Sequence, residues 1–183
     1  MRDCCDDRLL PVSIPPAPAS TPPSRVPIAW PAEWPVEVRK IADATNDALA
    51  AVAARDPIAF DDAVELLGRS DSAQAGHVHA EMVRTLLEEV HSDGLTGENV
   101  QEVLGRTVRG ADWLPNLDIA GFVEVLTGAL GVSDVEEQSR TKPRPAHALL
   151  VVADLLAVRR GRAETYLRRA LAEVHRAETI EMP

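Results

Sequence analysis

The sequence predicts a single all-α domain of six or seven mostly antiparallel helices, residues 36–180, behind a disordered proline-rich N-terminal tail, residues 1–35. Three observations predict it. Apolar residues after residue 35 recur at three- and four-residue spacing, which places them on one face of a helix. No segment shows the strict alternation that marks a half-buried strand. Nine of the fourteen prolines fall within residues 1–35, where missing backbone donors and fixed φ angles block helix formation. Pro15-Pro16 and Pro22-Pro23 give that tail polyproline-II character.

The first helix is expected from Val36. Val38, Ile41, Thr45, Ala48, Leu49 and Val52 share one face, and Asp56-Pro57 stops it. Asp56 then caps a second helix with Pro57 at its first position, where a missing N–H costs nothing. Phe60, Ala63, Val64 and Leu67 point inward and Gly68 ends it. Ser70 or Asp71 caps the third, whose stripe is Ala75, Val78, Met82, Leu86 and Val90. Asp93-Gly94 signals a turn, and Thr96 caps a fourth helix with Val100, Val103, Leu104 and Val108 inward.

Residues 110–117 read as a loop around Trp113 and Pro115. Asp118 caps a fifth helix in which Ile119, Phe122, Val123, Leu126 and Leu130 are expected inward, with Gly131 closing it. Residues 132–144 are polar and are expected to form an exposed, mobile loop. The sixth helix, about residues 145–160, is apolar from Ala146 to Val158 except at His147 and Asp154. A helix apolar all round is buried on most sides, so this one is expected at the centre. Gly161 separates it from a seventh with Ala163, Tyr166, Leu167, Ala170, Leu171 and Val174 on one face.

Composition restricts function. There are only six aromatic residues among 183, so Ala, Val and Leu must build the core and few rings are left to stack on bases or sugars. The net charge is −10, with −14 on residues 1–139 and +4 on residues 140–183. Most of the surface therefore repels phosphate backbones and anionic membranes. Arg159, Arg160, Arg162, Arg168, Arg169 and Arg176 make the C-terminal segment basic, but only Tyr166 interleaves them, so nucleic acid is not the expected partner. No run of 18 apolar residues predicts a membrane span. The N-terminus has no secretory apolar region, and Cys4 and Cys5 are adjacent, a strained geometry for a bridge. These features fit a cytoplasmic protein, and the excess of Arg over Lys fits a bacterium with a GC-rich genome.

Chemical motifs are sparse. His77, His79, Glu81, Glu88 and His91 fall on the third helix, and Glu88 with His91 forms a Glu-x-x-His. A di-iron carboxylate site needs two such motifs and two further glutamates, and the chain has one motif. These side chains are therefore expected to be solvated helix surface. Residues 91–98 lack the terminal acid of a calcium loop, because Val100 stands where that acid belongs. No phosphate-binding loop, dinucleotide fingerprint or nucleophile elbow occurs, so no cofactor is expected and catalysis is not the favoured reading.

Two pairs of residues stand out. Trp30 and Trp34, in Trp-Pro-Ala-Glu-Trp-Pro, are expected to fold back over the bundle, or else to be offered to a partner. His147 and Asp154 are seven residues apart and project from nearly the same side of the sixth helix. A buried charge needs a partner, so Asp154 is expected to meet an arginine from another helix. The alternative is a polar handle inside a ligand-binding or catalytic pocket near His147 and Asp154. The functional expectation is a non-enzymatic interaction or regulatory protein with a protein partner.

Overall fold

The computed structural model describes residues 28–115, 117–131 and 145–180, and the side chains of these residues up to 177. The described residues form seven α-helices and no strand. They are α1 (Val36–Ala54), α2 (Pro57–Arg69), α3 (Ser72–Val90), α4 (Gly97–Gly110), α5 (Ile119–Ala129), α6 (Pro145–Arg159) and α7 (Ala163–Ile180). Most of the tail, residues 1–27, and the loop expected at 132–144 lie outside the described residues.

Local chemistry sets the helix starts. Asp56 accepts from Ile58 N at 3.1 Å and Ala59 N at 3.0 Å, with Pro57 leading α2. Asp71 does the same for Ala73 and Gln74 at the start of α3. Thr96 and Asn99 form a reciprocal capping box on α4. Asp118 accepts from Gly121 N at 2.6 Å and starts α5. Each such cap satisfies backbone donors that have no partner inside the helix, a contribution of about 1 kcal/mol. Arg55, at φ +51°, turns the chain out of α1.

The helix at 145–159 sits where its composition puts it. α6 packs against α1, α2, α3, α4 and α5, and buries His147 through Val152 together with Leu155 and Leu156. α3 shares the centre, with its largest contacts on α6 and α7, and α2 lies mainly on α1. The core joins Ile41, Phe60, Leu67, Met82, Leu86, Leu126, Leu149, Leu155 and Leu167, each almost wholly excluded from solvent. Phe60 meets Trp113 edge-on at 5.8 Å, which anchors the turn after α4.

One expectation on α5 needs correction. Phe122 and Leu126 point inward, but Ile119, Val123 and Leu130 do not. They are 59%, 41% and 36% exposed. The reason lies in the helix itself, which carries apolar residues on both faces and one charge, Glu124. Apolarity alone cannot say which side of such a helix faces the core. α5 meets α3, α4 and α6, burying Gly121, Phe122, Val125, Leu126 and Ala129, while Ile119, Ala120, Val123 and Gly128 are exposed.

Candidate interaction surface

The two tryptophans of the N-terminal segment lie against the helical body. Trp30 and Trp34 stack with centroids 5.8 Å apart and planes 14° from parallel. Both are half-buried and pack on the core. Trp30 Nε1 donates to Asp43 Oδ1 on α1 at 2.6 Å. The Arg168 guanidinium from α7 lies 5.1 Å from the Trp30 ring and 5.9 Å from Trp34, and Nη2 donates to the Ala29 carbonyl at 2.8 Å. One arginine thus supplies cation–π attraction to both rings and a backbone bond to the strap. One indole donor and one cationic contact of this pair are thus made with the domain itself.

His147 and Asp154 turn toward neighbouring helices and do different work. Asp154 accepts from Arg106 Nε of α4, 2.9 Å from both carboxylate oxygens, and Nη2 adds ion-pair proximity at 2.8 Å from Oδ2 without hydrogen-bond geometry. Glu102 holds the same guanidinium at 3.3 Å. His147 instead packs its ring edge-on to Phe122 of α5 at 4.8 Å. It is 2% exposed, and neither ring nitrogen has a hydrogen-bond partner among the described residues. Its Nε2 lies 3.9 Å from Asp118 Oδ2, too far for a hydrogen bond. A Cβ at Gly121 would stand 2.6 Å from that nitrogen, so Gly121 lets the imidazole lie on the first turn of α5. Seven residues of helix separate the two polar groups by about 10 Å along the axis, and they do not converge on one point.

The third helix also departs from expectation. His77 is exposed, but His79 is buried, not solvated. Its Nε2 shares a 2.9 Å hydrogen bond with Thr45 Oγ1 of α1. Burial pushes its pKa down from 6.5 to about 4, so the ring is neutral and ties α1 to α3. Thr45 already stood on the predicted inward face of α1. His79 itself falls on the Ala75, Val78 and Met82 stripe of α3, so its position, unlike its residue type, points inward. Glu81 is bound to Arg84 at 2.6 Å, an ordinary i,i+3 surface pair.

The basic C-terminal segment is largely committed to internal ties. Glu89 of α3 accepts from Tyr166 Oη at 2.6 Å, Arg159 Nε at 3.2 Å and Arg169 Nη1 at 3.4 Å. That junction locks α3, the end of α6 and the start of α7 together. Arg168 and Arg162 both reach Glu164, and Arg176 pairs with Glu173.

Ile119, Val123 and Leu130 are spaced by four and seven residues, so they fall within about 40° of one another around α5. Leu130 also forms one wall of a groove of about 350 Å³ between α3, the turn after it and the end of α5. Leu87, Leu95 and Ala129 line its apolar part, and Arg84, Glu88, His91 and Ser92 its polar part. His91 Nε2 is shielded from solvent and has no hydrogen-bond partner among the described residues. The α5 row therefore runs into a recess. Elsewhere the exposed apolar side chains are interrupted: on α2, Ile58 and Leu66 stand among Asp61, Asp62 and Glu65.

Among the described residues, no group of three or more His, Cys, Asp or Glu is placed to hold a metal ion. No described helix is long and apolar enough to cross a membrane. Comparison with protein-family models, with curated proteins and with solved structures finds no match to this chain.

Proposed function

We propose that this chain is a non-enzymatic protein-interaction or regulatory protein whose binding surface is the outward face of α5. The single observation that carries the reading is the exposed apolar trio Ile119, Val123 and Leu130 on one side of a helix whose opposite face already serves the core. Solvated apolar side chains are common singly, but a row beside a recess is the usual form of a docking surface. The strap of Trp30 and Trp34 supports the fold in this reading and is not the main contact. His147 and Asp154 are tied to α5 and α4, and neither lines the groove.

The test is capture from the native host. Full-length protein and an Ile119→Ser/Val123→Ser variant serve as baits, and bound proteins and small molecules are identified by mass spectrometry. The reading expects a protein recovered with the unaltered chain and lost with the variant. A stoichiometric metabolite retained equally by both, with no protein partner, would sink it.

A further inference from the structure

We propose that the partner of the α5 face is a positively charged amphipathic helix, which lays an apolar stripe along Ile119, Val123 and Leu130 and sets one side chain into the groove beside Leu130. This deepens the interaction reading above and rests on it. The shape argument comes first. From Ile119 to Leu130 the row spans about 16 Å, the rise of three helical turns, so a partner helix of three to four turns matches it. Its stripe would follow the i, i+3, i+4, i+7 pattern by which helices dock in grooves. The recess closed by Leu87, Leu95, Ala129 and Leu130 is the size of an anchor for one large apolar side chain, with His91 at its polar edge.

The charge argument decides the partner's sign. Asp118, 57% exposed, immediately precedes Ile119. Glu124 follows Val123, and its Oε2 is shielded from solvent with no hydrogen-bond partner among the described residues. Glu88 stands exposed on the groove rim. The one cation on that rim, Arg84, is already bound to Glu81 at 2.6 Å. Two exposed carboxylates, Asp118 and Glu88, thus border the row and its groove beside one paired arginine, while Glu124 is shielded. Lysine or arginine flanking the partner's apolar stripe meets the exposed Asp118 and Glu88. A second copy of the chain fits less well, because most of its surface carries the same acidic excess; residues 1–139 hold a net charge of −14. The chain's own residues 1–27 also lack the complement, with Arg2, Arg8 and Arg25 balanced by Asp3, Asp6 and Asp7.

The experiment uses the full chain and a fluorescein-labelled peptide of about 14 residues, with leucine at i, i+3, i+4, i+7 and i+11 and lysine elsewhere. The control peptide replaces lysine with glutamate. Anisotropy should show the lysine peptide binding and the glutamate peptide not binding. Ile119→Ser/Val123→Ser should weaken binding by about tenfold or more, since two apolar contacts are lost. Glu88→Gln should weaken it severalfold, and added salt should weaken it further. The substituted positions are already solvated, and far-UV circular dichroism checks that the helices persist. Val123→Lys is a second variant, expected to abolish binding through both contact and charge.

Equal binding of both peptides, or binding unchanged in the serine variant, overturns the proposal. So does no binding at all. If the unaltered chain is a dimer that the serine variant dissociates, the occupant is a second copy and the proposal fails. If the lysine peptide binds only after residues 1–27 are deleted, the occupant is the chain's own segment and it fails likewise. The host capture separates the two levels of the argument. A protein lost from the serine variant, with the lysine peptide not bound, leaves the α5 surface standing and rejects only the partner's chemistry.

Discussion

Acid should weaken this fold through His79 before it titrates most carboxylates. The ring is buried between α1 and α3, bonded to Thr45, with its pKa lowered to about 4 against an ordinary 6.5. Below pH 6.5 the unfolded chain takes up a proton that the folded chain refuses until about pH 4. Stability from the neutral ring is therefore complete above 6.5 and is lost as pH falls toward 4. A shift of about 2.5 units, at about 1.4 kcal/mol each, makes the whole effect about 3 kcal/mol. About 2 kcal/mol of it falls between pH 7 and pH 5, where few carboxylates protonate. The perturbation is Thr45→Val/His79→Met, which removes the donor and the acceptor together. Such a swap is close to neutral at pH 7, because no buried polar group is left unpaired. Urea unfolding followed by circular dichroism at constant ionic strength gives stability at each pH. The other four histidines are present in both proteins, so the difference between the two pH profiles reports His79. The variant should lose about 2 kcal/mol less than the unaltered chain between pH 7 and pH 5. Identical profiles would refute the assignment of a neutral, buried His79.

Three further substitutions probe the packing. Asp154→Ala leaves the Arg106 guanidinium half-enclosed with Glu102 alone, and should cost about 1–3 kcal/mol by urea unfolding, whereas Arg106→Leu/Asp154→Leu should cost less. Gly121→Ala drives a Cβ to 2.6 Å from the His147 ring and should destabilise by about 1–3 kcal/mol despite alanine's better helix propensity. His147→Ala should then cost less in that background than in the unaltered chain; equal costs would show the two residues do not press on each other. Trp34→Ala removes the stack on Trp30 and part of the Arg168 contact and should lower stability by about 1–3 kcal/mol, with Arg168→Ala non-additive to it; unchanged melting would mean the strap is not held to the domain.

Much of this architecture was legible in the sequence because its punctuation is explicit. Asp56-Pro57, Asp71, Thr96 and Asp118 each fall where a helix starts, and each makes the cap its side chain permits. The apolar run from Ala146 to Val158 placed α6 at the centre, since a helix without a polar face has nowhere else to go. Asp154 announced its need for a cation, though only the fold could identify Arg106, 48 residues away. Two things were not legible. His79 falls on the inward stripe of α3, four residues after Ala75 and three before Met82, but its residue type and the nearby His77 and Glu81 read as surface; its partner Thr45 lies 34 residues back. Ile119, Val123 and Leu130 were read as core because apolar periodicity is silent when both faces of a helix are apolar. α5, like α6, carries apolar residues all round, but it is shorter and meets three helices where α6 meets five.

The outward face of α5 is tested most directly by mapping the bound lysine–leucine peptide on the isotope-labelled full chain by NMR. The account predicts that chemical-shift changes concentrate on Ile119, Val123 and Leu130 and on Leu87, His91 and Leu95 of the groove, leaving the Trp30 and Trp34 indoles unmoved. Changes centred on the tryptophan strap, or scattered over the acidic surface with no focus on α5, would contradict it.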